Sequence, residues 1–185
     1  MRQVIGGSLF IITGALAGAG SAMTLTEYLG TEPALAGSPW ASRDTSPLSP
    51  AHPYVVAHFL NEGRLPPAAG LWREYAADQS DDGSTLSIAC TYTLTAKLPT
   101  HRWWSIAAES SGRGERPSNS VITSDTVVAE PNGMVTLTIS REAVAGNWLK
   151  PPPTGTFGLI YTIAGPESEQ APAPAAMFTI KRRDC

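Results

Sequence analysis

Histidine and cysteine are scarce, three of one and two of the other among 185 residues. His52, His58 and His101 stand far apart and no HExxH occurs, so the spacing builds no zinc site. Charge is scarce too, at 16% with a formal net of −3, and the one dense basic cluster, Lys181 to Arg183, is followed at once by Asp184. Nucleic-acid binding needs a basic face, so this composition excludes nucleic acid as the expected partner. There is no GxSxG elbow to present an acyl-transfer serine. Gly112 and Gly114 lack the remaining glycine and the following helix of a dinucleotide loop. In "DQSDDGS", Asp78, Ser80 and Asp82 alternate like calcium ligands before Gly83, yet position 89, where such a loop needs glutamate, is Ala89. A turn between strands is the better reading. No catalytic residue, metal or cofactor is therefore assigned.

Charge is absent altogether from Gln3 to Thr26. Within that stretch Val4 to Leu25 are apolar or small, and 22 such residues can cross a hydrocarbon core of about 30 Å as a helix. Arg2 precedes the run, while Glu27 and Glu32 follow it, which places the amino end in the cytoplasm and the rest outside. Two readings compete. "AGAGSA" offers a signal peptidase small residues after Ala19 or Ala22. The length of the run favours a retained anchor over residues 1–26, touching the inner membrane through residues 4–25. Gly14 and Gly18, extended by Ala22, make a small-xxx-small pair through which such helices could self-associate. Export makes the cysteines readable: an even pair in an oxidising compartment suggests one disulfide, Cys90 to Cys185. It would close a loop of about 95 residues, for which chain entropy allows roughly 4 kcal/mol.

Residues 27–53 are rich in Pro, Ser and Ala and read as a linker that contains Trp40. Ser49 and Pro50 resemble a helix start, Tyr54, Val55, Val56, Phe59 and Leu60 form an apolar stripe, and Gly63 ends it. From there the period changes to two. "LWREYA", "STLSIACTYTLTAKL", "RWWSIAAE", "GTFGLIYTIAG" and "MFTIKRRDC" read as strands, and "VITSDTVVAEPNGMVTLTIS" as a strand pair turning at Pro131 to Gly133. On the long second strand Leu86, Ile88, Cys90, Tyr92 and Leu94 share the inner face. Short strands behind one helix indicate a mainly β, sandwich-type domain over residues 54–185.

Five tryptophans remain to be placed. Adjacent residues of a strand face opposite ways, so Trp103 and Trp104 cannot share a layer. Trp104 goes with Ile106 and Ala108 into the core; Trp103 goes with Ser105 and Ala107 towards the helix or a groove. The plain account is that all five fill layers of the fold. The sharper one pairs Trp103 with Trp148 as a platform for a sugar, lipid or peptide, with Arg102 stacking beside it.

Four pieces occur in order, "ACTYTL", "LPTHRWWSI", "NGMVTLTIS" and "GNWLKPPPTGTFGLIY", behind "HPYVVAHFLNEGRLPPAAGLWREYAAD". Over Pro53 to Cys185 the chain is similar to the short, membrane-anchored bacterial proteins of the domain of unknown function 1214 family. The resemblance implies a jelly-roll-like antiparallel β-sandwich with one N-terminal transmembrane helix and one short amphipathic helix, in a Gram-negative envelope. It also supports the Cys90–Cys185 pair. It brings no reaction with it. Lys150 stands where the family pattern has proline, and "LIYTI" lacks the arginine that often follows. The expectation is a non-catalytic periplasmic domain on a single inner-membrane span, binding an envelope protein or saccharide through Trp103, Arg102, Asn119, Asn147 and Trp148. The alternative is a hydrolase of an envelope carbohydrate or lipid-like substrate, with a polar site near Asn119, Asn147 and Trp148.

Overall fold

The structure, a computed structural model, describes residues 2–30, 37–42, 52–61, 71–100, 102–110, 120–153, 155–164 and 176–185. The chain divides into two units, Met1–Glu32 with Thr45–Pro66, and Pro33–Asp44 with Pro67–Cys185.

The first unit holds α1 (Arg2–Gly30) and α2 (Pro53–Asn61). Along α1 the hydroxyls of Ser21, Thr24 and Thr26 donate back to the carbonyls of Gly18, Gly20 and Ala22, the local bonding open to such residues inside a helix. These hydroxyls and Gly14, Gly18 and Gly20 dilute the apolar run. Among the described residues no helix is long and apolar enough to cross a membrane, which corrects the transmembrane anchor expected over residues 4–25 to a helix only. The side chains of residues 2–10, where that span would begin, lie outside the described residues. So do Ser49, Pro50 and Gly63, the expected ends of the second helix. His52 caps α2: its carbonyl accepts from Val56 N–H at 3.0 Å and its Nδ1 from Tyr54 N–H at 3.4 Å. Pro53 follows in the first turn, where its missing N–H costs nothing. Val55 and Phe59, four apart on one face, are buried.

The second unit is built of two sheets. In the first, β1 (Ala41–Ser42), β2 (Trp72–Ala77), β8 (Phe157–Ala164), β4 (Trp103–Ser110) and β5 (Val121–Thr123) lie side by side, every pair antiparallel. In the second the order is β7 (Asn147–Leu149), β6 (Met134–Ile139), β3 (Thr91–Lys97) and β9 (Thr179–Asp184). This sheet is mixed, because β7 joins β6 in parallel. Side chains hold β7 there: Asn147 Nδ2 donates to the Thr136 carbonyl (3.0 Å) and Trp148 Nε1 to that of Ser140 (2.9 Å). The fully antiparallel, jelly-roll-like arrangement is corrected accordingly to two sheets, one antiparallel and one mixed.

Period-two sequence now becomes packing. Tyr75, Trp104, Ile106, Ala108, Leu159, Tyr161 and Ile163 from the first sheet bury into the same apolar cluster as Tyr92, Leu94, Val135, Leu137, Ile139 and Ile180 from the second. In the second sheet residues facing the other way are wetter, as alternation demands, whereas in the first Ser105, Ile160 and Thr162 are buried on the outward side as well. At the centre, Trp104, Tyr161 and Phe178 meet with ring centroids 5.5–6.2 Å apart, mostly edge to face, a geometry worth about 0.5–1.5 kcal/mol per pair beyond burial.

Trp40 completes this knot. It is fully buried, its ring lies 6.0 Å from Tyr161, and its indole N–H donates to the Phe178 carbonyl at 2.6 Å. Residues 37–42 are thus no linker but a part of the domain, extended by β1 on the edge of β2. Three further expectations change. The long strand through Cys90 is broken, because Cys90 N–H turns back to the Ser87 carbonyl and Ser87 N–H donates to the Tyr92 hydroxyl. Cys90 is consequently half-buried at the margin of the core rather than inside it. The turn before β6 is present, with Gly133 at φ 77° and Met134 N–H on Asn132 Oδ1, but β5 and β6 belong to different sheets.

Candidate functional site

Trp104 is 1% exposed and in the core; Trp103 points out of the first sheet and is half-buried. Arg102 is exposed one residue before it. Trp148 pairs with Thr138, which points out of the second sheet, while its neighbour Leu149 is fully buried. Trp103 and Trp148 therefore project from opposite outer faces, and the structure does not bring them into one platform. Asn147 has its amide committed: Oδ1 accepts from Val128 N–H (2.8 Å), and Nδ2 donates to the carbonyls of Val128 (2.8 Å) and Thr136 (3.0 Å). That clamp ties the 128 loop to β6. Asn119 lies outside the described residues.

Register supplies Trp103 with a different companion. Ala164 on the central strand β8 pairs with Trp72 on one side and Trp103 on the other. With strands about 4.8 Å apart, the two tryptophans stand about 10 Å from each other across one small side chain. Both project outward, since Tyr75 and Trp104 take the inner parity. The next outward row is Glu74, Thr162, Ser105 and Thr123. Thr162 and Ser105 are only 8% exposed, so the face is open at its tryptophan end, where Trp72 is 40% and Leu71 67% exposed. Two outward indoles about 10 Å apart offer flat apolar surface of the kind that stacks on one side of a sugar. Sequence reasoning missed Trp72. Its outward parity was readable in "LWREYA"; its neighbour was not, because the two tryptophans meet only through β8.

Among the described residues two ionisable groups are strongly shifted, and each has a packing cause. The Asp82 carboxyl is held well below the usual range by the Ser84 hydroxyl first, then by the Ser80 hydroxyl, the Ser84 N–H and the Arg182 charge. Its contacts are 2.6 Å to Ser84 Oγ, 2.7 Å to Ser80 Oγ, 2.9 Å to Ser84 N and 3.2 Å to Arg182 Nη2. Next to it, Asp81 accepts from Ile180 N–H at 3.0 Å, so the turn that resembled a calcium loop grips β9. Burial, with the neighbouring Tyr75, pushes the Tyr161 phenol above its ordinary range. Cys90 and Cys185 are joined in a disulfide across the ends of β3 and β9.

Known proteins bear on this geometry as follows. The family described as "Protein of unknown function (DUF1214)" matches residues 73–168, the stretch from β2 through β8. No curated protein matches the chain. Among solved structures, the VPA0106 protein from Vibrio parahaemolyticus is similar at 22% identity and a TM-score of 0.56, over 92% of this chain and 44% of that one. An uncharacterized protein from Burkholderia cenocepacia aligns at 19% identity and a TM-score of 0.45, over 60% of this chain and 29% of its own. The chain thus spans less than half the length of either structure. The Vibrio likeness concerns the fold alone.

Proposed function

This chain belongs to the DUF1214 family of proteins of unknown function, and on that premise we propose an exported, non-catalytic domain that binds a saccharide at the open end of the first sheet's outer face. The observation that carries the reading is the register that sets Trp72 and Trp103 on either side of Ala164. Indoles so placed present apolar area at little conformational cost, which suits stacking on the flat side of a pyranose. The half-buried carboxylate of Glu74 borders the same end. The strongly shifted groups, Asp82 and Tyr161, are explained by a turn and by the core, so neither is left to act as an acid or base. The hydrolase alternative has no comparable support, because the Asn147 amide is spent on backbone groups.

Export is favoured by the disulfide, which persists in oxidising compartments, and by the uncharged stretch after Arg2 as its targeting signal. The domain then works in the periplasm. A phosphatase reporter fused after Cys185 should be active only there, and a mass lower by about 2 kDa would reveal a cleaved leader of ~20 residues. An inactive reporter refutes export. For binding, calorimetric titration is run across a panel of neutral oligosaccharides, so that the readout does not depend on the tryptophans replaced. Trp72→Ala with Trp103→Ala should abolish the response in a protein that still unfolds cooperatively. A double variant that binds as well as the wild type sinks the proposal.

A further inference from the structure

The outer face of the second sheet has its own composition. Facing away from the core stand Thr91, Thr93, Thr95 and Lys97 on β3, Met134, Thr136 and Thr138 on β6, and Thr179 and Lys181 on β9. Register arranges them in rows: Thr136, Thr95, Thr179; then Trp148, Thr138, Thr93, Lys181. The Thr95 and Thr179 hydroxyls are 2.7 Å apart. Pairing shifts between Thr91 and Tyr92, and there Arg183 lays its Nε 3.1 Å from Thr93 Oγ1, on the same face.

Charge is sorted on this face. Lys97, Lys181 and Arg183 are exposed, and among the described residues none of the three has an ion pair. Arg182, of the opposite parity, is the one engaged by Asp82. Two acids border the face: Glu130, occupied by the Thr136 hydroxyl at 2.6 Å and the Asn132 amide at 3.3 Å, and Asp184, exposed opposite Thr91 at the end of β9. In a chain of net charge −3 this face thus carries three cations that have no ion pair among the described residues, against one carboxylate, Asp184, at its end. Threonine is an ordinary resident of a wet strand, and charges on an edge strand discourage edge-to-edge pairing. Edge protection accounts for Lys181 and Arg183. It does not account for Lys97, which belongs to the interior strand β3.

We propose that this face binds an extended acidic glycan, a chain of sugars carrying carboxylates. Thr93 and Lys97 are four residues apart on one strand, so the cation clusters sit about 14 Å from each other with hydroxyls between them. Arginine can grip a carboxylate through two parallel bonds, lysine acts as a point charge, and threonine hydroxyls exchange hydrogen bonds with sugar hydroxyls. Trp148, whose N–H is already given to Ser140, offers a half-buried ring edge at the far end of the row. A lipid surface would ask for exposed apolar side chains to insert, whereas the apolar side chains here, Met134 beside Lys97 and Trp148, are half-buried and the row between the cations is threonine. The site lies across the sandwich from Trp72 and Trp103 and stands or falls independently of them.

The test uses polygalacturonate oligomers as the probe, dextran as the neutral control and phosphatidylglycerol-containing vesicles as the lipid control, at low and high salt. Wild-type protein should bind polygalacturonate and lose affinity steeply with salt because exposed charges are screened, and the Trp72→Ala, Trp103→Ala protein should ignore dextran. Lys97→Ser, Lys181→Ser and Arg183→Ser together should weaken binding roughly tenfold or more. Lys97→Ser with Lys181→Ser removes side chains that bond to nothing, so it keeps the test sound should the triple variant misfold; several-fold weakening is expected. The Trp72→Ala, Trp103→Ala protein should bind polygalacturonate normally. Absence of wild-type binding, equal binding of dextran by the Trp72→Ala, Trp103→Ala protein, indifference to the lysine substitutions, or stronger binding to the vesicles would overturn the proposal.

Discussion

Replacing Trp40 by alanine tests the architecture most directly, because local sequence and tertiary structure make opposite forecasts for it. In a linker, truncating a solvated tryptophan costs less than about 0.5 kcal/mol. In the structure Trp40 is fully buried, packs against Tyr161 and gives its N–H to the Phe178 carbonyl at 2.6 Å. Truncating a buried tryptophan costs about 3–5 kcal/mol in lost contacts and residual cavity. The Phe178 carbonyl also loses its donor, worth about 1–3 kcal/mol in a dry site. Together these reach about 4–8 kcal/mol, much of the about 5–15 kcal/mol that holds a typical domain folded. Trp40→Phe is the milder step, since it keeps an aromatic ring in the site while losing the N–H, about 1–3 kcal/mol, and part of the indole's volume. Urea unfolding followed by far-UV circular dichroism measures both without depending on the fluorescence that the substitution removes. The order should be wild type, Trp40→Phe, Trp40→Ala. A Trp40→Ala midpoint indistinguishable from wild type would refute the placement of residues 37–42 in the domain.

The two neighbouring tryptophans should part company: Trp104→Ala should cost about 3–5 kcal/mol and compromise folding, whereas Trp103→Ala should leave a folded protein, both read from urea midpoints. Equal losses would mean that both rings are structural. Cys185→Ser opens a loop with a sequence separation of 95 and should lower stability by about 2–4 kcal/mol; two titratable thiols in wild-type protein denatured without reductant would contradict the bridge. The Asp82 carboxyl is depressed from an ordinary value of 3.8. Its contribution is therefore present above that pH and is lost as the pH falls below it towards the folded value. Asp82→Asn should be less stable than wild type at neutral pH and lose less between about pH 4 and 2; parallel curves of midpoint against pH would show that the carboxylate does not hold the turn.

Several features were legible without coordinates, because they depend only on parity and on composition. Alternation alone separates Trp104 from Trp103 and puts Phe157, Leu159, Tyr161 and Ile163 on one face, as the buried cluster has them. An even pair of cysteines in a chain read as exported sufficed for the disulfide. The ordered family pieces sufficed for the membership that the match over residues 73–168 shows. Other features had no local signature. Trp40 sits in a stretch of Pro, Ser and Ala, and its hydrogen-bond partner lies 138 residues away. The strands flanking the turn at Gly133 look like a hairpin, yet β5 pairs with β4 and β6 with β3. The candidate face joins Trp72 to Trp103 through Ala164, whereas the sequence alone pairs Trp103 with Trp148. Parity tells each strand which way its side chains point. Which strands then lie together is decided by the burial of the whole set, since closing a longer loop costs only slightly more than closing a short one, and that choice is written in no single segment.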